Sequence, residues 1–147
     1  ANASGTILSE GDDLYRGSSV NNSVLGYQVI IEKGCRVEDS ILLGADRNEF
    51  FKGKLRQENY SLIGEGSHIS RVIFDKNVKI GKDVHLSPDN GTPEERSQRL
   101  EELGLTPYQE LPEGKIVGDF YIGPENILVL GKENDPLRKV IPNGYKG

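Results

Sequence analysis

The stretch Ile63-Gly64-Glu65-Gly66-Ser67-His68-Ile69 returns 17 residues later as Ile80-Gly81-Lys82-Asp83-Val84-His85-Leu86. The two copies share Ile, Gly, a histidine and a closing aliphatic at matching places. A fixed period of this kind is the mark of a repeat architecture, which element-by-element reading misses. The same spacing runs back to the N-terminus. Thr6-Ile7-Leu8, Ser23-Val24-Leu25 and Ser40-Ile41-Leu42 are 17 apart, as are Ala3, Val20 and Val37, and Gly17 and Gly34.

Inside one period the apolar positions recur about every six residues, at Leu25, Ile31 and Val37, with Val29, Cys35 and Ile41 four after each. Strand alternation turns i and i+4 to the same side. A step of six then needs a corner before the chain points inward again. Three sides per turn, two of six residues and one of five, make up the 17. This pattern predicts an all-β, single-stranded parallel β-helix, a hexapeptide-repeat solenoid of 17–18 residues per coil. Such a solenoid buries a narrow apolar column and needs capped ends.

Two segments break the period. From Leu42 the next inward residue is Ile63, 21 positions on instead of six, so an excursion over about 44–62 leaves the solenoid and returns in phase. Its Phe50-Phe51 pair is expected to pack back on the coil or on a partner. The second break is a helix-containing insertion over about 88–116. Thr92-Pro93-Glu94-Glu95 reads as a capping box with Pro at the first helical position. The helix is expected over about 93–103, with Arg96, Leu100 and Leu103 as an apolar stripe, Glu95 and Arg99 as an i,i+4 pair, and Gly104 as the stop. A closing coil follows at 118–147, with a turn at Asp135-Pro136. The whole of 1–147 reads as one domain, and its start inside the repeat suggests a piece of something longer.

Composition narrows the function. The 147 residues carry a net charge of −5, which argues against a nucleic-acid surface. No apolar run approaches the roughly 20 residues that span a bilayer, and the single Cys35 fits a reducing compartment. Cys35 is expected inward, as a small core residue. His68 and His85 should face outward, one above the other. One of them could serve as general base in a hexapeptide acyltransferase, but a solvent-facing ladder is the simpler reading. No Cys or His spacing makes a metal site. Lys76 follows the inward Phe74 by two, and Lys132 follows Leu130 by two. If Leu130 takes the place of Phe74 one coil on, both ammonium groups leave the same edge. They would then repel unless an anion sat between them, which makes Lys76 and Lys132 a candidate phosphate site.

The string Phe74-Asp75-Lys76-Asn77-Val78-Lys79-Ile80-Gly81-Lys82-Asp83-Val84 resembles the C-terminal left-handed β-helix domain of glucose-1-phosphate adenylyltransferase, also called ADP-glucose pyrophosphorylase. Ser40-Ile41-Leu42-Leu43-Gly44-Ala45-Asp46 is similar to the family's segment before its excursion, and Ile63-Gly64-Glu65-Gly66 to its re-entry. Gly118-Asp119-Phe120-Tyr121-Ile122, Ile127 to Lys132 and Ile141-Pro142-Asn143-Gly144 resemble the closing coil. The resemblance implies a parent nucleotidyltransferase that makes ADP-glucose from ATP and glucose 1-phosphate with Mg²⁺, for glycogen or starch synthesis, in the cytoplasm or a plastid. It places the catalytic residues in an N-terminal α/β domain outside this sequence, so this domain would hold neither cofactor nor catalytic residue. The β-helix would mediate homo-oligomer contacts and bind a sugar-phosphate or phosphoglycerate effector, with Lys76 and Lys132 at effector-binding positions. Gly26-Tyr27-Gln28 departs from the family's frequent Gly-Leu-Arg, so one possible anion contact is absent. A purely structural β-helix subunit, or the tail of another sugar nucleotidyltransferase such as a guanylyl- or thymidylyltransferase, is a further alternative.

Overall fold

A computed structural model describes residues 1–46, 60–135 and 137–147. The chain winds as a triangular solenoid with three parallel faces. The first stacks Asn2–Ser4, Ser19–Asn21, Arg36–Glu38, His68–Ser70 and His85–Leu86. The second stacks Val24–Tyr27, Ile41–Gly44, Val72–Phe74 and Leu128–Leu130, and the third Asp13–Leu14, Val29–Ile31, Ser61–Ile63 and Lys79–Ile80. The register follows the 17-residue period residue for residue: Ala3 pairs with Val20, Val20 with Val37, and Leu25 with Leu42. After the excursion the register resumes in phase, Ile31 against Ile63.

The interior is a single apolar column that includes Leu25, Ile31, Val37, Leu42, Ile63, Phe74 and Ile80, all shielded from solvent. Val29 and Cys35 face inward as expected. Ile41 does not: it is 40% exposed, and Ser40 and Leu42 point inward in its place. The five-residue step falls here, between Val37 and Leu42, and the shortened corner shifts the alternation by one. Asn22, Asp39 and Arg71 turn this corner in successive coils with φ of 48°, 50° and 53°, a region that Asn and Asp tolerate best. A ladder of hydroxyls serves the backbone beside it. Ser40 N–H donates to Ser23 Oγ (3.1 Å), and Val72 N–H donates to Ser40 Oγ (3.3 Å). The buried serines are thereby hydrogen-bonded, as interior polar groups must be.

The excursion is narrower than the period implies, because Ser61 and Leu62 already lie in the third-face strand. Phe50 and Phe51 fall outside the described residues. The helix forms over Pro93–Glu102 with the full Thr92/Glu95 capping box, and Gly104 ends it at φ 90°. Two details differ from expectation. Arg96 and Leu100 are buried, but Leu103 is half-exposed at the C-cap and Leu105 completes the apolar contact instead. Arg99 donates to the carbonyls of Asn90 (2.7 Å) and Lys146 (3.4 Å), tying the helix to the closing coil while Glu95 is committed to the capping box.

The last coil is built from Leu128–Leu130 on Val72–Phe74, Ile141 beside Ile80 and Lys146 beside His85. Phe120–Ile122 stands outside that path. It runs antiparallel to Leu128–Leu130 and finishes the second face. Leu137 and Arg138 both donate backbone N–H groups to Asp135, closing the turn there.

Candidate anion site at the lysine corner

Phe74 pairs in register with Leu130, so Lys76 and Lys132 leave equivalent positions of adjacent coils. They emerge where the second face turns into the third. The structure places a group between them that the spacing did not name. Asp46, the last described residue before the excursion, puts Oδ1 3.5 Å from Lys76 Nζ and Oδ2 2.9 Å from Lys132 Nζ. The two cations share the chain's own anion.

Asp46 is held in place by Asn77. The Asp46 N–H donates to Asn77 Oδ1 (3.1 Å), and Asn77 Nδ2 donates to Asp46 Oδ2 (3.1 Å). Asn77 is buried and takes φ 66°, and its own N–H donates to Gly44 O (2.8 Å). Ala45 N–H donates to Tyr27 O (2.7 Å), continuing the ladder to the mouth of the excursion. Gly44 makes this approach possible. Its φ is 78°, and a Cβ there would meet Tyr27 O at 2.2 Å. On the Lys132 side, Glu133 N–H donates to Lys76 O (3.0 Å), joining the two coils directly.

The hydrogen bond from Lys132 holds the Asp46 carboxyl below the usual carboxylate range, aided by Asn77 and the charges of both lysines and opposed by burial. All three side chains keep about a third to a half of their surface in solvent. The corner is therefore formed, charged and open. Lys79, one strand further along, is buried with its Nζ 4.5 Å from the centre of the Tyr60 ring. Burial pushes its pKa down, and Glu133 and Asp135 hold it up.

The histidines also stack on adjacent coils but are differently kept. His68 pairs with His85 in register, and the ring centroids lie 4.7 Å apart, tilted by 32°. They line a shallow groove of about 290 Å³ with Arg36, Glu38, Asp89 and Asn90. Burial depresses the His68 pKa, and the neighbouring His85 and Arg36 add to this while Glu38 opposes it. Among the described residues no acceptor orients either ring as a base would need. Cys35 is a core residue: its Sγ lies 3.0 Å from Gly64 O, and burial pushes the thiol pKa up. Among the described residues no group of three or more His, Cys, Asp or Glu side chains is arranged to hold a metal ion.

Sequence reasoning missed Asp46 and Asn77 as members of the corner. The signal was available in the repulsion of two paired lysines, which demands a counter-charge.

The family model described as "GLGC left-handed parallel beta-helix domain" matches residues 1–102. The chain belongs to that family. Within it the chain is similar to a glucose-1-phosphate adenylyltransferase small subunit of Zea mays, 37% identical over 92 residues, which is 58% of this chain and 72% of the maize sequence. It is likewise similar to the chloroplastic/amyloplastic small subunit of Triticum aestivum, 35% identical over 90 residues, 58% of this chain and 19% of the wheat sequence. The chain thus spans about a fifth of that relative's length. The GLGC β-helix domain fits the observed solenoid, and its matched span contains the Asp46, Lys76 and Asn77 part of the corner. Among the described residues no helix is long and apolar enough to cross a membrane.

Proposed function

We propose that this chain is the regulatory and assembly domain of a glucose-1-phosphate adenylyltransferase, an enzyme of glycogen or starch synthesis in the cytoplasm or a plastid. The chemistry, with ATP and Mg²⁺, resides in a separate catalytic domain, and this domain senses an anionic metabolite. The observation that carries the reading is the convergence of Lys76 and Lys132, 56 residues apart in sequence, on one open corner. Family membership favours this over the acyltransferase reading of His68 and His85. A phosphate-bearing effector would bridge the two ammonium groups. To regulate, it must bind one arrangement of the parent enzyme better than another.

In the full-length enzyme, Lys76→Ala should raise the effector concentration for half-maximal response by about tenfold, the loss of one charge-assisted contact worth roughly 1.4 kcal/mol. An unchanged response curve would rule the corner out as the effector site.

For assembly, the second face offers an outward apolar ladder on which Ile7, Val24 and Ile41 stack in consecutive coils and remain exposed. The sheet-forming residues of a solvated face are ordinarily polar, so we assign this ladder to contact with a second copy. Ile41→Glu should shift a self-associated chain to monomer in sedimentation equilibrium. A mass that does not change would remove this face from the assembly.

A further inference from the structure

We propose that Asp46 is a tethered competitor for the lysine corner, so that a phosphate ligand enters by displacing the Asp46 carboxylate. The inference rests on the reading of Lys76 and Lys132 as an anion site and adds how that site is kept when the ligand is absent. The carboxylate gives one oxygen to each ammonium, as two oxygens of a phosphoryl group would. Its attachment is unequal. Among the described residues Oδ2 takes both Lys132 (2.9 Å) and Asn77 (3.1 Å), whereas Oδ1 has Lys76 alone, at the longer 3.5 Å.

Displacement is mechanically simple. The Asp46 backbone stays pinned through its N–H to Asn77 Oδ1 and through Ala45 N–H to Tyr27 O. A rotation about the Asp46 side-chain bonds is enough to vacate the corner without moving the coil. Electrostatics sets the direction of the exchange. An ion pair this open to solvent is worth little by itself. Asp46 brings one charge and two oxygens, whereas a phosphate monoester brings a charge of about −1.5 to −2 and three acceptor oxygens. Monoanions such as chloride offer no more charge than the tethered carboxylate and gain nothing by exchanging with it. The corner thereby gains selectivity for dianionic phosphate at a cost in affinity. Where the carboxylate fills the corner nine-tenths of the time, apparent affinity falls about tenfold below the intrinsic value.

The test is a calorimetric titration of this chain with inorganic phosphate in a chloride-free buffer, for the wild type, Asp46→Asn and the double variant Asp46→Asn/Lys132→Gln. Asn at 46 keeps an acceptor for Asn77 and removes the charge. Asp46→Asn should bind phosphate about tenfold more tightly than the wild type, and the double variant should lose that gain. Chloride, titrated separately, should compete with phosphate more strongly in Asp46→Asn than in the wild type. If the wild type binds phosphate and Asp46→Asn binds it no better, the carboxylate is not a competitor, and the anion-site reading survives alone. Absence of phosphate binding in both the wild type and Asp46→Asn would overturn the anion site itself, and the competitor with it.

Discussion

Two pairs of like residues stack on adjacent coils of this solenoid, and they are stabilised in different ways. His68 and His85 face each other ring against ring, with centroids 4.7 Å apart. Lys76 and Lys132 occupy an equally repeated relation, yet a carboxylate from a third strand end stands between them. The period places the histidines 17 residues apart, and the return of the coil at Leu130 after the helical insertion sets Lys132 over Lys76. Charge makes them differ. An imidazole can shed its proton near neutral pH and stack as a neutral ring, and burial already biases His68 that way. A lysine keeps its charge far above neutral pH, so a lysine pair in one corner calls for an anion. A stacked pair of permanent cations is therefore the stronger mark of a ligand site than a stacked pair of histidines.

The contrast breaks most completely at Gly44. Placing a Cβ 2.2 Å from Tyr27 O at φ 78° leaves the backbone no accommodation without shifting the corner. Gly44→Ala should destabilise the chain by roughly 2–4 kcal/mol in urea denaturation. It should disturb amide signals at Asp46 and Asn77 while leaving those of His68 and His85 nearly in place. Equal disturbance at both pairs would show that the corner and the ladder are one cooperative unit.

The smallest effect lies at the histidines. The folded-state pKa of His68 is depressed, so as pH falls below about 7 the unfolded chain takes up this proton before the folded chain does. The folded state therefore loses stability as pH drops through the ordinary histidine range. His68→Gln should remove that loss, changing stability by no more than about 0.5 kcal/mol, as is usual for an exposed site. Denaturation midpoints at pH 7.5 and 5.5 measure it. A His68→Gln variant that loses as much stability as the wild type between the two pH values would show that this proton does not carry the loss. Asp46, whose folded-state pKa is likewise depressed, acts in the same direction at lower pH. Its contribution holds above the ordinary carboxylate pKa and fades only as pH falls through the depressed folded value, so the corner stays charged across the neutral range.

Much of this molecule was legible from spacing. In a solenoid each residue's neighbour above and below lies one coil away, so the 17-residue repeat determines the register Val20 to Val37 and His68 to His85, and the in-phase return after the excursion sets Ile63 against Ile31. The same rule placed Lys76 over the edge that Lys132 would share, once Leu130 was set against Phe74. The rule failed where one residue was missing from a corner. Ile41 was expected inward, and only the left-handed turn at Asp39 shows that the short step falls just before it.

Sequence by itself thus determined the coil, its register and which side chains would stack, because those depend on a local period repeated along one axis. Tertiary structure alone decided what stands between the stacked lysines. Asp46 lies 30 residues before Lys76 and 86 before Lys132, at the point where the chain leaves the repeat. Its place depends on Asn77 and on the close approach at Gly44, and no periodicity carries that information. The histidine motif that first reveals the repeat remains a solvent-facing ladder, and the charge that completes the lysine corner enters from outside the period.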